Sequence, residues 1–188
     1  MVTEKNFIVH EPKDGQIEGN KAKGILSYTD GSLLNQKTGC GVHTVKYRSE
    51  GEAVIYNGNF YLGDTSTVFQ AEVTAIKKSA EMLLNAGYEN QSITFYSDSQ
   101  ASLAALKKIT INSDTVAKCI TALNRLGKNN YVHLKWVKAH VGIAGNKRAD
   151  FLAKRGSTLG VGSTNEIRTP KTEQKKEIER YFLTKWWV

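Results

Sequence analysis

The spacing of hydrophobic residues changes from strand-like to helical and back along this chain, and the order of those changes limits the folds open to it. Three successive strand-like runs joined by short turns predict an antiparallel meander: residues 25–28, 41–47 and 53–62. The clearest helix follows, and its apolar residues share one face: Phe69, Val73, Ile76, Ala80 and Leu83. We expect this helix to end at Gly87.

The second half of the pattern alternates between helices and short strands. Residues 93–96 predict a short buried strand, and Ser97-Asp98-Ser99 supplies capping residues for a helix that runs to about Lys108. A helix, a strand and a last helix are then expected over residues 114–126, 132–137 and 146–155. The whole order, βββ-α-β-α-α-β-α, favours an α/β fold, which is a mixed sheet with helices on its faces.

Polar segments flank this region on both sides. Residues 11–24 are polar and contain glycine, and residues 156–165 have the composition of a flexible linker. We therefore expect an N-terminal flanking segment over residues 1–22, one compact domain over residues 23–157, and a linker and tail over residues 158–188. The tail is charged and then aromatic, as expected of a helix docked on the domain or of a segment that packs against a longer chain.

Charge and composition narrow the classes of partner and compartment. The formal net charge of +8 favours a polyanionic partner such as nucleic acid. No apolar run approaches the roughly 18 residues that span a bilayer, and the N-terminus lacks the apolar core of a signal peptide. We therefore expect no membrane association and an intracellular location, in the cytoplasm, the nucleus or both. Cys40 and Cys119 have the pattern of small buried hydrophobic residues in a reducing compartment.

Four acidic residues and one histidine stand in settings that suit a cation site: Asp30, Glu72, Asp98, Asp150 and His140. Taken singly, each has an ordinary alternative. Asp30 can begin an Asp-Gly turn, Asp98 can cap a helix, and Glu72 can be a solvated helix residue. Against the turn, Asp30 ends an apolar run, which places it at a strand end. Together they suggest a hard cation, because oxygen ligands suit Mg²⁺ or Mn²⁺ better than Zn²⁺.

Four motifs occur in one order along the chain: Tyr28-Thr-Asp-Gly-Ser32, Gln70-Ala-Glu72, Ser97-Asp-Ser-Gln100 and Trp136-Val-Lys-Ala-His-Val-Gly-Ile-Ala-Gly-Asn-Lys-Arg-Ala-Asp150. In this order they resemble the motifs of type I ribonuclease H, and the resemblance covers about residues 24–156. The ribonuclease H domain of non-LTR retrotransposon polyproteins is most similar in two phrases: Val68-Phe-Gln-Ala-Glu-Val-Thr-Ala-Ile76 and His140-Val-Gly-Ile-Ala-Gly-Asn146.

The resemblance implies a ribonuclease H-like fold, with a five-stranded mixed sheet of strand order 3-2-1-4-5 and helices on both faces. It implies an endoribonuclease that hydrolyses the RNA strand of RNA/DNA hybrids with two Mg²⁺ ions, for which Mn²⁺ can substitute. The products would carry 5′-phosphate and 3′-hydroxyl ends, and the setting would be retrotransposon reverse transcription. The implied partners are the hybrid and other domains of a reverse-transcriptase polyprotein, and we expect a monomer.

Motif matching carries the family's functional residues onto this chain. Four residues would be the metal-binding carboxylates: Asp30, Glu72, Asp98 and Asp150. His140 would be a mobile-loop histidine that assists water delivery or product release. Six positions match residues that contact the substrate: Gly31, Ser32, Thr67, Ser99, Gln100 and Asn146. Among them, Thr67 matches a threonine that binds a DNA-strand phosphate, and Ser99 and Gln100 match residues that touch the minor groove.

The chain departs from the family's pattern at three places. Val68 and Phe69 stand where many members have Asn or Gln, and Lys147 stands where an acidic residue is usual near the metal site. This lysine would either weaken the less tightly held cation or aid substrate binding. Only residues 109–113 separate the two middle helices, so the basic helix that some cellular members have at this place is absent. Substrate contacts would then come from five other lysines, unless these form only a solvated helix face: Lys77, Lys78, Lys107, Lys108 and Lys118.

Two other functions stay open from the sequence. A catalytically silent relative would serve as a nucleic-acid-binding or connection module, but such modules commonly lose a carboxylate, and the expected set is intact here. Another nuclease or an integrase of the same fold is the second alternative, but those lack the block from His140 to Asp150.

Overall fold

The computed structural model describes residues 4–12, 24–49, 51–139, 141–160 and 164–168, the last as backbone only. Within these ranges seven strands form one sheet: β1 (Ile8–Val9), β2 (Gly24–Leu34), β3 (Lys37–Arg48), β4 (Gly51–Gly63), β5 (Ser92–Ser97), β6 (Tyr131–Trp136) and β7 (Thr164–Arg168). The same ranges contain four helices: α1 (Val68–Asn85), α2 (Gln100–Lys107), α3 (Asp114–Leu126) and α4 (Ala144–Thr158).

The five strands expected from the sequence form the centre of this sheet. β2, β3 and β4 form the antiparallel meander, β5 runs parallel to β2, and β6 runs parallel to β5. The observed order β1-β6-β5-β2-β3-β4-β7 contains the expected order 3-2-1-4-5. Two short edge strands are additions to it: β1 pairs with β6, and β7 pairs with β4. β1 has only 2 residues, too few to show a strand pattern in the sequence, and the 5 residues of β7 lack the apolar run or alternation that predicts a strand.

The folded unit extends past the expected ends of the compact domain. On the N-terminal side Phe7 is buried in the core, and Lys5 donates from Nζ to the carbonyl oxygens of Leu106 (2.6 Å) and Lys108 (2.8 Å). Part of the expected N-terminal flank is therefore packed on the sheet. The aromatic end of the tail, with Trp186, lies outside the described residues.

β2 is longer than the apolar run that predicts it. It continues past Asp30 to a two-residue turn at Asn35 and Gln36, whose φ angles of 51° and 63° are typical of a type I′ hairpin. The expected position of Asp30 at a strand end is therefore wrong. The parallel ladder between β2 and β5 nevertheless ends at the pair Thr29–Ser97, so Asp30 is the first residue beyond that ladder.

Helices cover both faces of the sheet, because alternate side chains of each strand point to opposite faces. On one face α1, α2 and α3 enclose the larger core, to which the strands contribute Ile25, Ile93, Phe95 and Leu134. On the other face α4 covers a smaller cluster that includes Leu26, Tyr28, Tyr96 and Ala149. The expected mixed sheet with helices on both faces is confirmed. In the described part of the chain, no helix has the length and apolar character needed to cross a membrane.

α4 lies against β3 at very short range because a glycine faces it. A Cβ atom built on Gly41 of β3 would overlap the carbonyl oxygen of Ala149 and the backbone nitrogen of Ala153. The absence of a side chain at this position lets the backbones approach each other. This approach sets the position of α4, which carries Asn146 and Asp150, relative to the sheet.

Candidate active site

Three acidic side chains from separate elements meet beside the carboxyl end of β5. Asp30 lies in β2, Asp98 directly follows β5, and Glu72 comes from the second turn of α1. One carboxylate oxygen of each residue lies within 4.8 Å of those of the other two. Asp30 and Glu72 are only 7% and 5% exposed. The chain thus brings residues that are far apart in sequence into one buried acidic cluster.

Burial and mutual repulsion favour the protonated forms of Glu72 and Asp30 by raising their pKa values. Burial raises the pKa of Glu72 well above its usual range, and the charges of Asp30 and Asp98 raise it further. Burial likewise raises the pKa of Asp30, with additional contributions from Asp98 and Asp150. The Gly31 amide donates to Oδ1 of Asp30 at 2.8 Å, which opposes this shift without cancelling it. The cluster would therefore ionise more readily beside a cation.

The donor set fits a hard divalent cation. The three residues Asp30, Glu72 and Asp98 offer carboxylate oxygens, the ligands that Mg²⁺ and Mn²⁺ prefer. Within the described chain, Oε2 of Glu72 and Oδ1 of Asn146 are buried and have no hydrogen-bond partner. A buried acceptor without a donor is destabilising unless a ligand satisfies it. A cation beside Glu72 would do so.

Asp30→Asn should stabilise the protein when divalent cations are absent. The substitution removes a buried charge, and the new amide oxygen can still accept from Gly31. The pKa of Asp30 in the folded protein is raised above its unfolded value. Its ionisation therefore destabilises the fold only above the unfolded pKa, and increasingly so until the pH passes the folded pKa. We expect a gain of roughly 1–3 kcal/mol in the free energy of unfolding at pH 8, and little or none at pH 4.

Denaturant unfolding in EDTA at these two pH values measures the effect of Asp30→Asn. An equal gain at both pH values, or a loss at pH 8, would contradict the assignment of a raised pKa to this buried carboxyl.

Asp150 reaches the same pocket from α4 but does not join the close cluster. Its Oδ2 forms an ion pair with Nζ of Lys154 at 2.8 Å, one turn further along the helix. Its side chain is 31% exposed, unlike the buried Asp30 and Glu72. The hydrogen bond to Asp150 raises the pKa of Lys154, so the ammonium stays charged. Three of the four expected carboxylates thus form the cluster, and the fourth lies at its border.

A pocket of about 690 Å³ opens over the cluster, and four of the expected substrate-contacting residues line it: Gly31, Ser32, Ser99 and Asn146. Ser99 also caps α2, because its Oγ accepts from the Ser102 amide at 3.3 Å. Asn146 is 6% exposed and donates from Nδ2 to Oδ2 of Asp98 at 3.4 Å. The pocket therefore joins the acidic cluster to polar groups that can contact a substrate.

Among the described residues, two expected substrate-contacting residues do not line this pocket: Gln100 and Thr67. Gln100 is the exposed first residue of α2. Thr67 caps α1, since its hydroxyl accepts from the Gln70 amide at 3.2 Å while the Gln70 side chain accepts from the Thr67 amide at 2.9 Å. This capping box accounts for Thr67 without a substrate contact. His140 lies outside the described residues.

Two residues without an expected role position the carboxylates: Trp136, the first residue of the fourth motif, and Lys154, which lies outside the motifs. The indole nitrogen of Trp136 in β6 donates to the carbonyl oxygen of Asp98 at 3.0 Å, which holds the backbone that carries this carboxylate. Lys154 holds Asp150. The sequence contains a signal only for Lys154, because residues four apart on a helix are neighbours. The contact of Trp136 depends on how the strands are arranged.

The lysines around the pocket are not the ones that the sequence suggested for substrate contact. Three of those suggested lie in surface ion pairs, which favours a solvated helix face for them: Lys77, Lys107 and Lys118. Three other lysines line the pocket: Lys138, Lys147 and Lys154. Positive charge is therefore available at the rim of the acidic cluster.

Lys147→Glu should tighten the binding of Mg²⁺. Lys147 lines the pocket and is exposed, so the exchange replaces a positive charge with a carboxylate near the cluster. We expect the Mg²⁺ dissociation constant measured by calorimetry to fall about threefold to tenfold. Lys128→Glu makes the same exchange beside the opposite end of β6 and should change it by less than about twofold. An unaltered affinity in Lys147→Glu would show that this side chain does not act on the site.

Comparisons with known proteins agree with the geometry of the site. Residues 22–158 match the family model described as RNase H. Among solved structures, the prototype foamy virus protease-reverse transcriptase is 17% identical with a TM-score of 0.59, covering 80% of this chain, whereas this chain spans 23% of that protein. RNase H1 from the halophilic archaeon Halobacterium salinarum is 22% identical with a TM-score of 0.52, and the match covers 70% of this chain and 96% of that one.

No curated protein matches the chain significantly. The two structural likenesses concern the fold, and the family model spans all four motifs and every carboxylate of the candidate site. The expected family is therefore confirmed: the chain belongs to the ribonuclease H family of nucleases.

Proposed function

We propose that the chain is an endoribonuclease that hydrolyses the RNA strand of RNA/DNA hybrids and leaves 5′-phosphate and 3′-hydroxyl ends. The observation that carries the proposal is the buried cluster of Asp30, Glu72 and Asp98 at the base of an open pocket. Burying several carboxylates together is unfavourable unless they take up protons or bind a cation, because like charges repel each other. Membership of the ribonuclease H family supplies the substrate class.

Asp30, Glu72 and Asp98 would hold the divalent cations, with Asp150 as a further ligand. We propose Mg²⁺, with Mn²⁺ able to substitute, because the donors are all oxygens. Two such cations supply an activated water and stabilise the leaving 3′-oxygen. The chain's own contribution is placement: the Gly31 amide orients the Asp30 carboxylate, and the indole of Trp136 donates to the carbonyl oxygen of Asp98 and holds its backbone.

Recognition of the RNA strand would come from polar groups at the pocket rim. Ser99 and Asn146 lie beside Asp98, where 2′-hydroxyl groups of the strand to be cut can reach them. Gly31 and Ser32 line the pocket on the β2 side and would contact the backbone of the hybrid. We extend the proposal to His140, which would assist water delivery or product release.

Contacts with the DNA strand would lie at the edge of this region. We propose that Gln100 contacts the minor groove from the exposed start of α2. Thr67 would bind a phosphate of the DNA strand while its hydroxyl also caps α1. Lys138 and Lys147 add positive charge along the pocket, which favours binding to a phosphate backbone.

We further propose that this activity serves reverse transcription of a retrotransposon, beside other domains of a polyprotein. The likeness in fold to the foamy virus protease-reverse transcriptase, of which this chain spans 23%, is what supports this setting. The setting would be intracellular, in the cytoplasm, the nucleus or both. We expect the chain to act as a monomer without membrane association.

Duplexes of one sequence test the substrate class. RNA/DNA, RNA/RNA and DNA/DNA versions are each labelled on the strand corresponding to the RNA and incubated with the protein and Mg²⁺. We expect cleavage of the RNA strand in the hybrid alone, with 5′-phosphate and 3′-hydroxyl ends identified by mass spectrometry. Equal cleavage of the RNA/RNA duplex, or products with 3′-phosphate ends, would refute the proposed activity.

A further inference from the structure

The carboxylate of Asp150 forms an ion pair with a positively charged side chain of the same helix, Lys154. Nζ of Lys154 lies 2.8 Å from Oδ2 of Asp150, within hydrogen-bond and ion-pair distance. The two residues are four apart on α4, with the acid on the N-terminal side, which is the favourable orientation for such a pair. Both side chains line the pocket above the acidic cluster.

The other three carboxylates have no such partner. Among the ion pairs of the described residues, none includes Asp30, Glu72 or Asp98. These three have oxygens within 4.8 Å of one another, and Asp150 is not a member of that group. The site therefore contains three clustered carboxylates without an ion-pair partner among the described residues, and a fourth carboxylate that is paired with Lys154.

The ammonium group of Lys154 at Oδ2 of Asp150 opposes the binding of a divalent cation to the same carboxylate, because the two positive charges repel each other. Mg²⁺ binds carboxylate oxygens at about 2.0–2.1 Å and requires near-octahedral geometry, which excludes a lysine nitrogen from its position. Lys147 lies three residues before Asp150, faces the same pocket and adds a second positive charge that opposes the approach of a cation. On the pocket side of α4, Asp150 therefore has a lysine on each side of it in sequence: Lys147 and Lys154.

We propose that Lys154 is a positioning residue that holds Asp150 outside the three-carboxylate cluster until a divalent cation displaces it. Lys154 thereby sets the cation concentration at which the fourth carboxylate joins the site. This inference rests on the proposed metal site and concerns the order in which its ligands engage. The three clustered carboxylates bind the cation first, and Asp150 binds only when the cation outcompetes the ammonium.

The size of the effect follows from the exposure of the pair. The side chains of Lys154 and Asp150 are 56% and 31% exposed, so solvent weakens their attraction. Breaking an exposed ion pair of this kind changes a binding constant by about twofold to fivefold. Lys154→Gln should therefore lower the apparent dissociation constant of Mg²⁺ by that factor.

Calorimetric titration of Mg²⁺ into the full chain, without nucleic acid, tests the proposal. The variants are Lys154→Gln, Asp150→Asn and the two combined. Lys138→Gln is the matched control, because it removes the same charge from the same pocket without breaking the ion pair with Asp150. We expect Lys154→Gln to bind Mg²⁺ about twofold to fivefold more tightly than Lys138→Gln does. In the Asp150→Asn background, Lys154→Gln should give no further tightening beyond that of the control.

Equal tightening by Lys154→Gln and Lys138→Gln would overturn the proposal, because the effect would then be one of general charge. So would tightening in the Asp150→Asn background that exceeds that of the control. Normal Mg²⁺ binding and normal hybrid cleavage, with no special effect of Lys154→Gln, would overturn this inference and leave the proposed function intact. Absence of Mg²⁺ binding to the unaltered protein would overturn both.

Discussion

We expect Glu72→Gln to slow cleavage of the RNA strand in a hybrid by about a thousandfold or more, a loss of about 4 kcal/mol in transition-state stabilisation. Glu72 is 5% exposed, and one of its oxygens is buried without a partner. An amide at this position would keep the size of the side chain but lose the charge that a cation requires. The single-turnover cleavage rate at saturating Mg²⁺ measures the effect.

Glu81→Gln is the matched control for Glu72→Gln. Glu81 lies on the same helix, α1, but forms a surface ion pair with Lys77 and takes no part in the pocket. The same exchange there should leave the cleavage rate within about twofold of the unaltered protein. A rate for Glu72→Gln within tenfold of the unaltered protein would show that this carboxylate is not a ligand of the catalytic cations.

The second large effect is structural. Gly41→Val should reduce the free energy of unfolding by about 3 kcal/mol or more, because the side chain would overlap Ala149 and Ala153 on α4. Relief of the overlap requires α4 to move away from the sheet. Cleavage should fall as well, since α4 carries Asp150. Denaturant unfolding and the cleavage rate together report both consequences.

Gly160→Ala serves as the control for Gly41→Val. A Cβ built on Gly160 has no atom within 4 Å, so this exchange should change the free energy of unfolding by less than about 0.5 kcal/mol. A stability of Gly41→Val equal to that of Gly160→Ala would contradict the close approach of α4 to β3.

The order of elements could be predicted because each has a pattern of its own. The apolar face of α1 and the strand runs of the meander are visible in the sequence, and the strand order followed from the family that the motifs resemble. The two-residue strand β1 could not be predicted. It forms because Phe7 is buried in the core and brings its neighbours to the edge of β6, a tertiary effect that no local pattern contains.

The site could be predicted as a set of residues but not as an arrangement. The motifs identify Asp30, Glu72 and Asp98, and the structure brings them together. They do not reveal that Asp150 is paired with Lys154, because the motif gives residue types and not side-chain partners. The cap formed by Thr67 was open to prediction, since Thr-x-x-Gln before an apolar run is a known N-terminal signal of a helix.

We propose that the acidic cluster makes this chain a hybrid-specific ribonuclease, and Asp98→Asn tests this claim most directly. The exchange keeps the size of the side chain, and the bond from Trp136 is to the backbone of residue 98 and does not depend on the carboxylate. The measurement is single-turnover cleavage of an RNA/DNA hybrid, labelled in the RNA, with Mg²⁺. We expect the unaltered protein to cut the RNA strand and Asp98→Asn to leave it intact. If the unaltered protein cuts no hybrid, or if Asp98→Asn cuts it equally fast, the claim is wrong.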